Sequence, residues 1–338
     1  MSMTTTSSPV VPSSETTGTR TLAPHASTGS TPLLLAAFAA VYVIWGSTYL
    51  AIRIGVESMP PLMLAGLRHF TVGALLYPIL RWKTAVRPTA AHWKAAAVTG
   101  VLLLFVGNGG VSWAEQTVPS GITALLVAMV SFWLVIVDWL RPGGHWPVPK
   151  VVFGLFLGFA GVALLVGPVH LGGSQRMDLR GVAVLVIACL AWACGSIYSK
   201  HGGMPSSALL GVAMQSFAGG VVLLFAGLVS GEFHRFHFAA VSWRSWVALT
   251  YLVVFGSGIG FTAYLYILHK STAARVATYA LLNPVVALFL GWFVADEAIS
   301  LRTVVAAAII LTAVVLVITA PHRPQERAQE PVPAPGEV

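Results

Sequence analysis

VIWGSTYLAIRIGVESMPPLMLAGLR, residues Val43–Arg68, holds two apolar runs split by a short polar break at Glu57, with an arginine set inside the second run. A weaker copy returns 147 positions later: Trp45 falls on Trp192, Gly55 on Gly202, Arg68 on Gln215 and Gly73 on Gly220. The pair Met59-Pro60 reappears, slightly out of register, as Met204-Pro205. At an offset of 154, Val130 meets Pro284 and Leu164 meets Ile318. Each half also ends in a Gly- or Ala-rich apolar helix. The chain therefore reads as two homologous halves.

Composition says what surrounds them. The 338 residues are 57% hydrophobic and only 9% charged, where a soluble domain carries about 25% charge. Such a chain cannot cover a folded surface with polar groups, so lipid must do it. The formal charge of +8 needs no nucleic acid, because basic residues between spans set membrane topology. The two cysteines, Cys189 and Cys194, lie inside one apolar run. That excludes a disulfide framework and a cysteine zinc site.

Between a Ser/Thr/Pro-rich stretch at 1–31 and a second polar stretch at 321–338 stand ten apolar runs. Each is near the ~20 residues that cross a bilayer. They lie near 33–52, 61–80, 95–113, 120–140, 149–168, 181–199, 207–229, 245–268, 272–294 and 302–320. Both ends read as disordered tails, and the first lacks the charged region and cleavage site of a signal peptide. The runs do not alternate polar with apolar, as barrel strands would. The expected fold is thus an all-α membrane protein of ten transmembrane helices. One five-helix repeat covers 32–170 and a second covers 171–320. Five spans is an odd number, so the second repeat must insert upside down. Inverted repeats are a common architecture of secondary transporters, with the substrate site near the bilayer midplane between the halves.

With the N-terminus inside, the inner segments hold eleven Lys and Arg and the outer segments six. The bias places both termini in the cytoplasm.

The WGSTYLAIRIG segment, the MPPLMLAGLR start of span two and AEQTVPSGITALLVA from Ala114 resemble the EamA family of the drug/metabolite transporter superfamily. YALLNPVVALFLGWFVADEAIS in the second half is similar to that family's recurring Asn/Glu-Pro, Gly and helix-end Glu segment. The likeness runs from about Leu33 to Ala320 and is strongest to the ten-span exporter branch. It implies a multi-pass exporter of small metabolites in the cytoplasmic membrane, and it does not specify cargo. One departure stands out: Glu297 has no acidic counterpart in the first half, where Pro142-Gly143-Gly144 holds the corresponding turn.

Arg68 lies about eight residues into span two. An intramembrane Arg costs ~2.5–3.5 kcal/mol on insertion scales and normally faces the bundle interior or water. Two functional readings are open, an anion clamp on the substrate and a charge that pairs with Glu115 during switching. The structural alternatives are an Arg tied to backbone carbonyls or snorkelling outward. The resemblance adds weight to function, because an Arg here matches the family pattern. His69 could move a proton or simply pack. Glu115, at the end of span three, is read equally well as a proton carrier and as an ordinary exposed loop residue. Asp138 and Arg141 form an i,i+3 pair, and Asp296 and Glu297 cap the turn into span ten near Arg302.

Polar and aromatic residues that could line a path are Trp45, Ser47, Thr48, Tyr49, Asn108, Trp113, Trp192, Tyr198, Gln215, Tyr264, Tyr279 and Asn283. Trp45 and Trp192 hold equivalent positions and could share one cavity. Packing or an aromatic belt is the competing account. The belt fits Trp82, Trp93, Trp146, Trp243 and Trp246 at span ends. Gly107-Asn108-Gly109-Gly110 and Gly256-Ser257-Gly258-Ile259-Gly260 place small residues at equivalent points of spans three and eight. They permit close helix contact, and hinge motion is a further expectation.

No Walker motif appears, so ATP is not the energy source within this chain. No His/Glu cluster has metal-ligand spacing, and no cofactor is called for. The expected partners are a small-molecule substrate and the lipid bilayer, with the protein acting as monomer or homodimer; coupling is open between facilitated diffusion and proton antiport through Glu115 or His69. An importer or exchanger of anionic metabolites, an intramembrane enzyme and a structural membrane partner without cargo are the alternatives.

Overall fold

A computed structural model describes residues 31–142, 146–166, 178–271 and 278–320. The two expected tails and the Gly143-Gly144 turn lie outside the described residues. The chain is all-α, with no strand among the described residues. The long helices are α1 (Thr31–Val56), α2 (Pro61–Lys83), α3 (Ala90–Ala114), α4 (Ser120–Leu140), α5 (Pro149–Val166), α6 (Leu179–His201), α7 (Ala208–Val229), α8 (Trp243–Lys270), α9 (Tyr279–Ala295) and α10 (Leu301–Ile318). Nine of these are long and apolar enough to cross a membrane. The remaining one, α9, has 17 residues, and the segment before it, 272–277, lies outside the described residues.

Start and stop chemistry places the helix ends. Thr89, Asp178, Ser207, Ser242 and Ser300 each accept a backbone N–H at the start of α3, α6, α7, α8 and α10, satisfying amides that a helix leaves unpaired. The α2 and α4 helices begin instead after Pro60 and Pro119, which offer no side-chain cap.

Packing obeys the exchange of each helix with the one five places on. The α2, α4 and α5 helices pack on their own counterparts α7, α9 and α10. The α1 helix packs on α8 and α9, as α6 packs on α3 and α4. At the α2–α7 crossing, Gly73 sits on the Phe217 backbone and Gly220 on the Phe70 backbone. The two phenylalanine rings lie 5.5 Å apart. Phe70 and Phe217 are themselves related by the 147 offset, a match that had escaped the sequence reading.

Equivalent helices point opposite ways. Lys150, at the start of α5, donates to the Thr319 carbonyl (3.3 Å) and hydroxyl (2.9 Å) at the end of α10. Arg302, at the start of α10, donates to the carbonyls of Leu164 (2.5 Å) and Leu165 (2.8 Å) at the end of α5. The antiparallel pair is drawn close by Gly154 and Gly161, which face Val317 and Ile310, while Gly158 makes room for Phe132 of α4. The largest apolar core lies beside it, built on Leu125, Met129, Phe132, Leu185, Ile310 and Val314. Facing outward are Phe153, Phe156, Phe225, Phe289 and Phe293, all exposed, as a lipid-covered bundle requires. Trp82, Trp146 and Trp243 are exposed at helix ends and fit an aromatic belt. Trp93 instead folds onto Tyr77, 5.2 Å between rings.

Candidate functional site

Two stretches of π-helix, Gly100–Gly109 in α3 and Leu252–Ile259 in α8, occupy equivalent places in the repeats. They coincide with the glycine-rich segments. A π stretch unsettles the regular carbonyl pairing and is frequent at functional sites. Side chains here take up carbonyls: Asn108 Nδ2 donates to Leu103 O (3.4 Å) and Trp45 Nε1 to Gly256 O (3.1 Å). Each repeat's central tryptophan meets the other repeat's π stretch or its edge. Trp45 lies against Gly260 and Trp192 against Gly107.

Around the α8 stretch, residues of both repeats converge. Gly256 is flanked by the Thr48 methyl and the Arg68 guanidinium, so that a methyl in its place would stand 3.1 and 3.2 Å from them. Arg68 Nε donates to Ser257 Oγ at 3.0 Å. No carboxylate of the described residues pairs with it. Arg68 and Glu115 are not paired in this arrangement of the helices. Trp45 is packed by Tyr264 (5.1 Å), Tyr279 (5.2 Å) and Phe261 (5.8 Å). The Ser47 and Tyr251 hydroxyls are 2.6 Å apart. Next to Arg68, His69 is buried beside Asn108 with Nε2 unpartnered. Asn283 is buried in α9 with Oδ1 unpartnered. Arg68, the Ser47, Tyr251 and Ser257 hydroxyls and the Trp45 aromatic group thus lie around the α8 π stretch, where the two repeats meet, while the buried His69 and Asn283 stand on α2 and α9.

Other expected residues are placed elsewhere. Trp113 is exposed at the end of α3, Tyr198 lies against Gly202 at the end of α6, and Gln215 stands on α7 with its backbone carbonyl facing Gly100. Trp192 packs with Leu103, Leu104 and Leu223, apart from the Trp45 group. Asp138 and Arg141 pair at 2.6 Å, as their spacing implied.

At the end of the bundle where α3 turns into α4, Glu115 is wholly buried and neither carboxylate oxygen has a partner. It is not the exposed loop residue that one reading allowed. Burial pushes its carboxyl well up from the usual carboxylate range, and Glu297 adds to this while Arg53 opposes it. Arg53 donates to the Glu115 backbone carbonyl. Ser120 Oγ and Thr123 Oγ1, both fully buried, are also unpartnered. Tyr49 on α1 lies within electrostatic reach of Glu115.

Glu297 does not cap the turn into α10, a role that Ser300 takes. Asp296 adopts a left-handed conformation (φ 52°), which short polar side chains tolerate. The chain folds back, Glu297 N bonds Gly291 O (3.0 Å), and the carboxylate passes over Gly291. There it accepts the Ser120 (2.7 Å) and Gly121 (3.1 Å) amides that Pro119 leaves uncapped. Glu232 does the same for α2, accepting the amides of Met63 (3.0 Å) and Leu62 (3.4 Å) after Pro60. Two glutamates of repeat two thus cap two proline-led helices of repeat one at the same end. Ser58, bonded to Ser245 (2.7 Å) and to the Ser242 amide (3.0 Å), adds a third tie there.

Comparison with known proteins agrees with this architecture. The EamA-like transporter family model matches residues 31–167 and 179–319. The inner membrane transporter YedA of Escherichia coli is 39% identical over 285 residues, covering 84% of this chain and 90% of that protein. The transporter YvbV of Bacillus subtilis is 26% identical over 85% of this chain and 91% of its own length. A probable amino-acid metabolite efflux pump of E. coli is 25% identical, over 80% and 90%. One solved crystal structure shares the fold, with a TM-score of 0.58 and 20% identity across 86% of this chain and 99% of that one. With both repeats matched and helix packing that exchanges one for the other, the chain belongs to the EamA-like transporter family and is a multi-pass transporter of the cell membrane.

Proposed function

We propose that the protein is a secondary transporter that exports a small amphipathic metabolite by alternating access, with ten spans and both termini in the cytoplasm. The two halves, 32–170 and 171–320, act as inverted repeats around a shared site. The observation that carries this reading is Arg68, half-buried between the repeats with Ser257 as its hydrogen-bond partner and no acid beside it. A buried cation demands compensation, and a carboxylate or other anionic group on the cargo would supply it. Trp45, Tyr264 and Tyr279 offer an apolar wall for the rest of such a molecule, the usual mix in ligand sites. Ser47, Thr48, Asn108 and Asn283 would add hydrogen bonds. Tyr49, Trp113, Trp192, Tyr198 and Gln215 stay candidates for later stages of the cycle. Glu115 and His69, both buried with unpartnered polar atoms, are the candidates for proton coupling. Export follows the name of one relative, the amino-acid metabolite efflux pump.

Counterflow in proteoliposomes tests the proposal, using amino acids, sugars and cationic drugs as the panel. Cargo-dependent exchange that Arg68→Ala abolishes in a folded protein is the expected result. Full-rate exchange by Arg68→Ala removes the anion clamp. An absence of exchange for every compound, with substrate turnover in detergent instead, points to an enzyme.

A further inference from the structure

Glu115 is wholly buried and both its carboxyl oxygens lack partners. A neutral carboxylic acid tolerates such burial better than a bare carboxylate, which would be unpaired and costly. The charged and titratable groups that face it are few. From α1 come Arg53, committed to the Glu115 backbone carbonyl, and Tyr49. From the α9–α10 turn comes Glu297, and Cys189 stands on α6 near Tyr49. Asp178, which caps α6 and accepts from Thr117 Oγ1 (2.9 Å), lies on the exposed side of the α3–α4 turn. Glu297 is one of the residues that tie the repeats together at this end, through the α4 amides.

We infer that Glu115 is the binding site of a coupling proton and that Glu115 and Glu297 together form a proton-gated latch. With the proton on Glu115, Glu297 stays seated on the α4 N-terminus and this end is shut. When the proton leaves to water, the new carboxylate repels Glu297 and calls for Arg53. The cap then loosens and the repeats part. This rests on the transporter reading and adds to it the ion and the moving part.

The sign is fixed by linkage. A closed state that raises the Glu115 pKa takes up a proton on closing. Closure is therefore fully favoured below the ordinary carboxylate value of about 4.5. The preference is lost as pH rises through the raised value, by up to about tenfold in the closed-to-open ratio per pH unit.

The test is a spin-label distance between Gln116→Cys and Ile299→Cys, both exposed, one on each repeat at this end. The full chain carries Cys189→Ala and Cys194→Ala and sits in phosphatidylethanolamine/phosphatidylglycerol nanodiscs. Between pH 5 and pH 9 the short-distance population should give way to a longer one. Glu115→Gln should stay short throughout. Glu297→Ala, which removes the acceptor, should shift to the long distance already at pH 5, by tenfold or more. Opposite responses of the two variants separate a latch from general destabilisation, and Glu297→Ala decides the matter if Glu115→Gln does not fold. A pH-independent distance, a wild-type slope in Glu115→Gln, an unmoved Glu297→Ala, or a shift driven by sodium at constant pH overturns the inference. Counterflow that persists alongside a flat pH response would leave the transporter reading standing without the latch. A working latch with no counterflow would do the reverse.

Discussion

Gly100→Ala is the sharpest test of how the repeats meet. A methyl at Gly100 would stand 2.8 Å from Gly219 N, 3.0 Å from Gln215 O and 3.1 Å from Gly219 Cα. All three are backbone atoms of α7, so no side chain can swing aside. Ordinary carbon contacts lie near 3.5 Å, so α3 and α7 must part by about 0.7 Å. Overpacking of this kind costs about 1–3 kcal/mol, against a helix-propensity gain of at most about 1 kcal/mol for replacing glycine by alanine. The net effect should be destabilising, and a loss of 1.4 kcal/mol would change the folded ratio tenfold. Gly258→Ala is the control: its methyl would meet only Val253 O, at 3.6 Å, so the propensity gain should appear alone. The assay is thermal unfolding in detergent, followed by the loss of the monodisperse peak. The account expects Gly100→Ala to melt below wild type and Gly258→Ala to melt at or above it. Equal stabilisation by both would refute the close α3–α7 crossing.

Arg68→Gln should weaken counterflow of a carboxylated cargo by about 10- to 100-fold, the worth of a charge-assisted hydrogen bond of about 1.5–3 kcal/mol. Arg68→Lys should recover only part, because an ammonium cannot reproduce the planar fork. Glu232→Ala removes the acceptor of two α2 amides and should lower thermal stability by about 1–2 kcal/mol, while Glu232→Gln should recover part of it. Asp178 is held below its ordinary value of 3.8, first by the Thr117 hydroxyl and then by the Arg180 amide. Its contribution to stability is therefore present above that value and lost as pH falls through the lowered one. Asp178→Asn should flatten the acid limb of a melting-temperature profile and leave the neutral limb unchanged.

The spans were legible because lipid enforces long apolar runs, and the described helix ends, the start of α9 aside, fall within a few residues of the runs. The repeat was legible through Trp45 and Trp192, whose equivalence now has a cause: each meets the opposite π stretch. The Asp138–Arg141 pair was legible because both partners share one helix turn. Glu297 was not, since its target lies 176 residues away. What aims it is the left-handed Asp296, a backbone choice that composition does not announce. Arg53 had counted only as a topological charge, yet its guanidinium holds the Glu115 carbonyl. Ser257 and Tyr251 had been passed over for their glycine and apolar neighbours. The signal for Ser257 was its register with Asn108, the polar residue of the other glycine-rich stretch.

The measurement that bears most directly on the whole account is the sidedness of two equivalent turns. Single cysteines at Glu57, between α1 and α2, and at Ser206, between α6 and α7, both exposed, would be probed in a Cys189→Ala, Cys194→Ala background with a membrane-impermeant maleimide on intact cells. Inverted repeats predict that Glu57→Cys labels from outside while Ser206→Cys labels only after permeabilisation. Labelling of both from the same side would contradict the inversion on which the shared site depends.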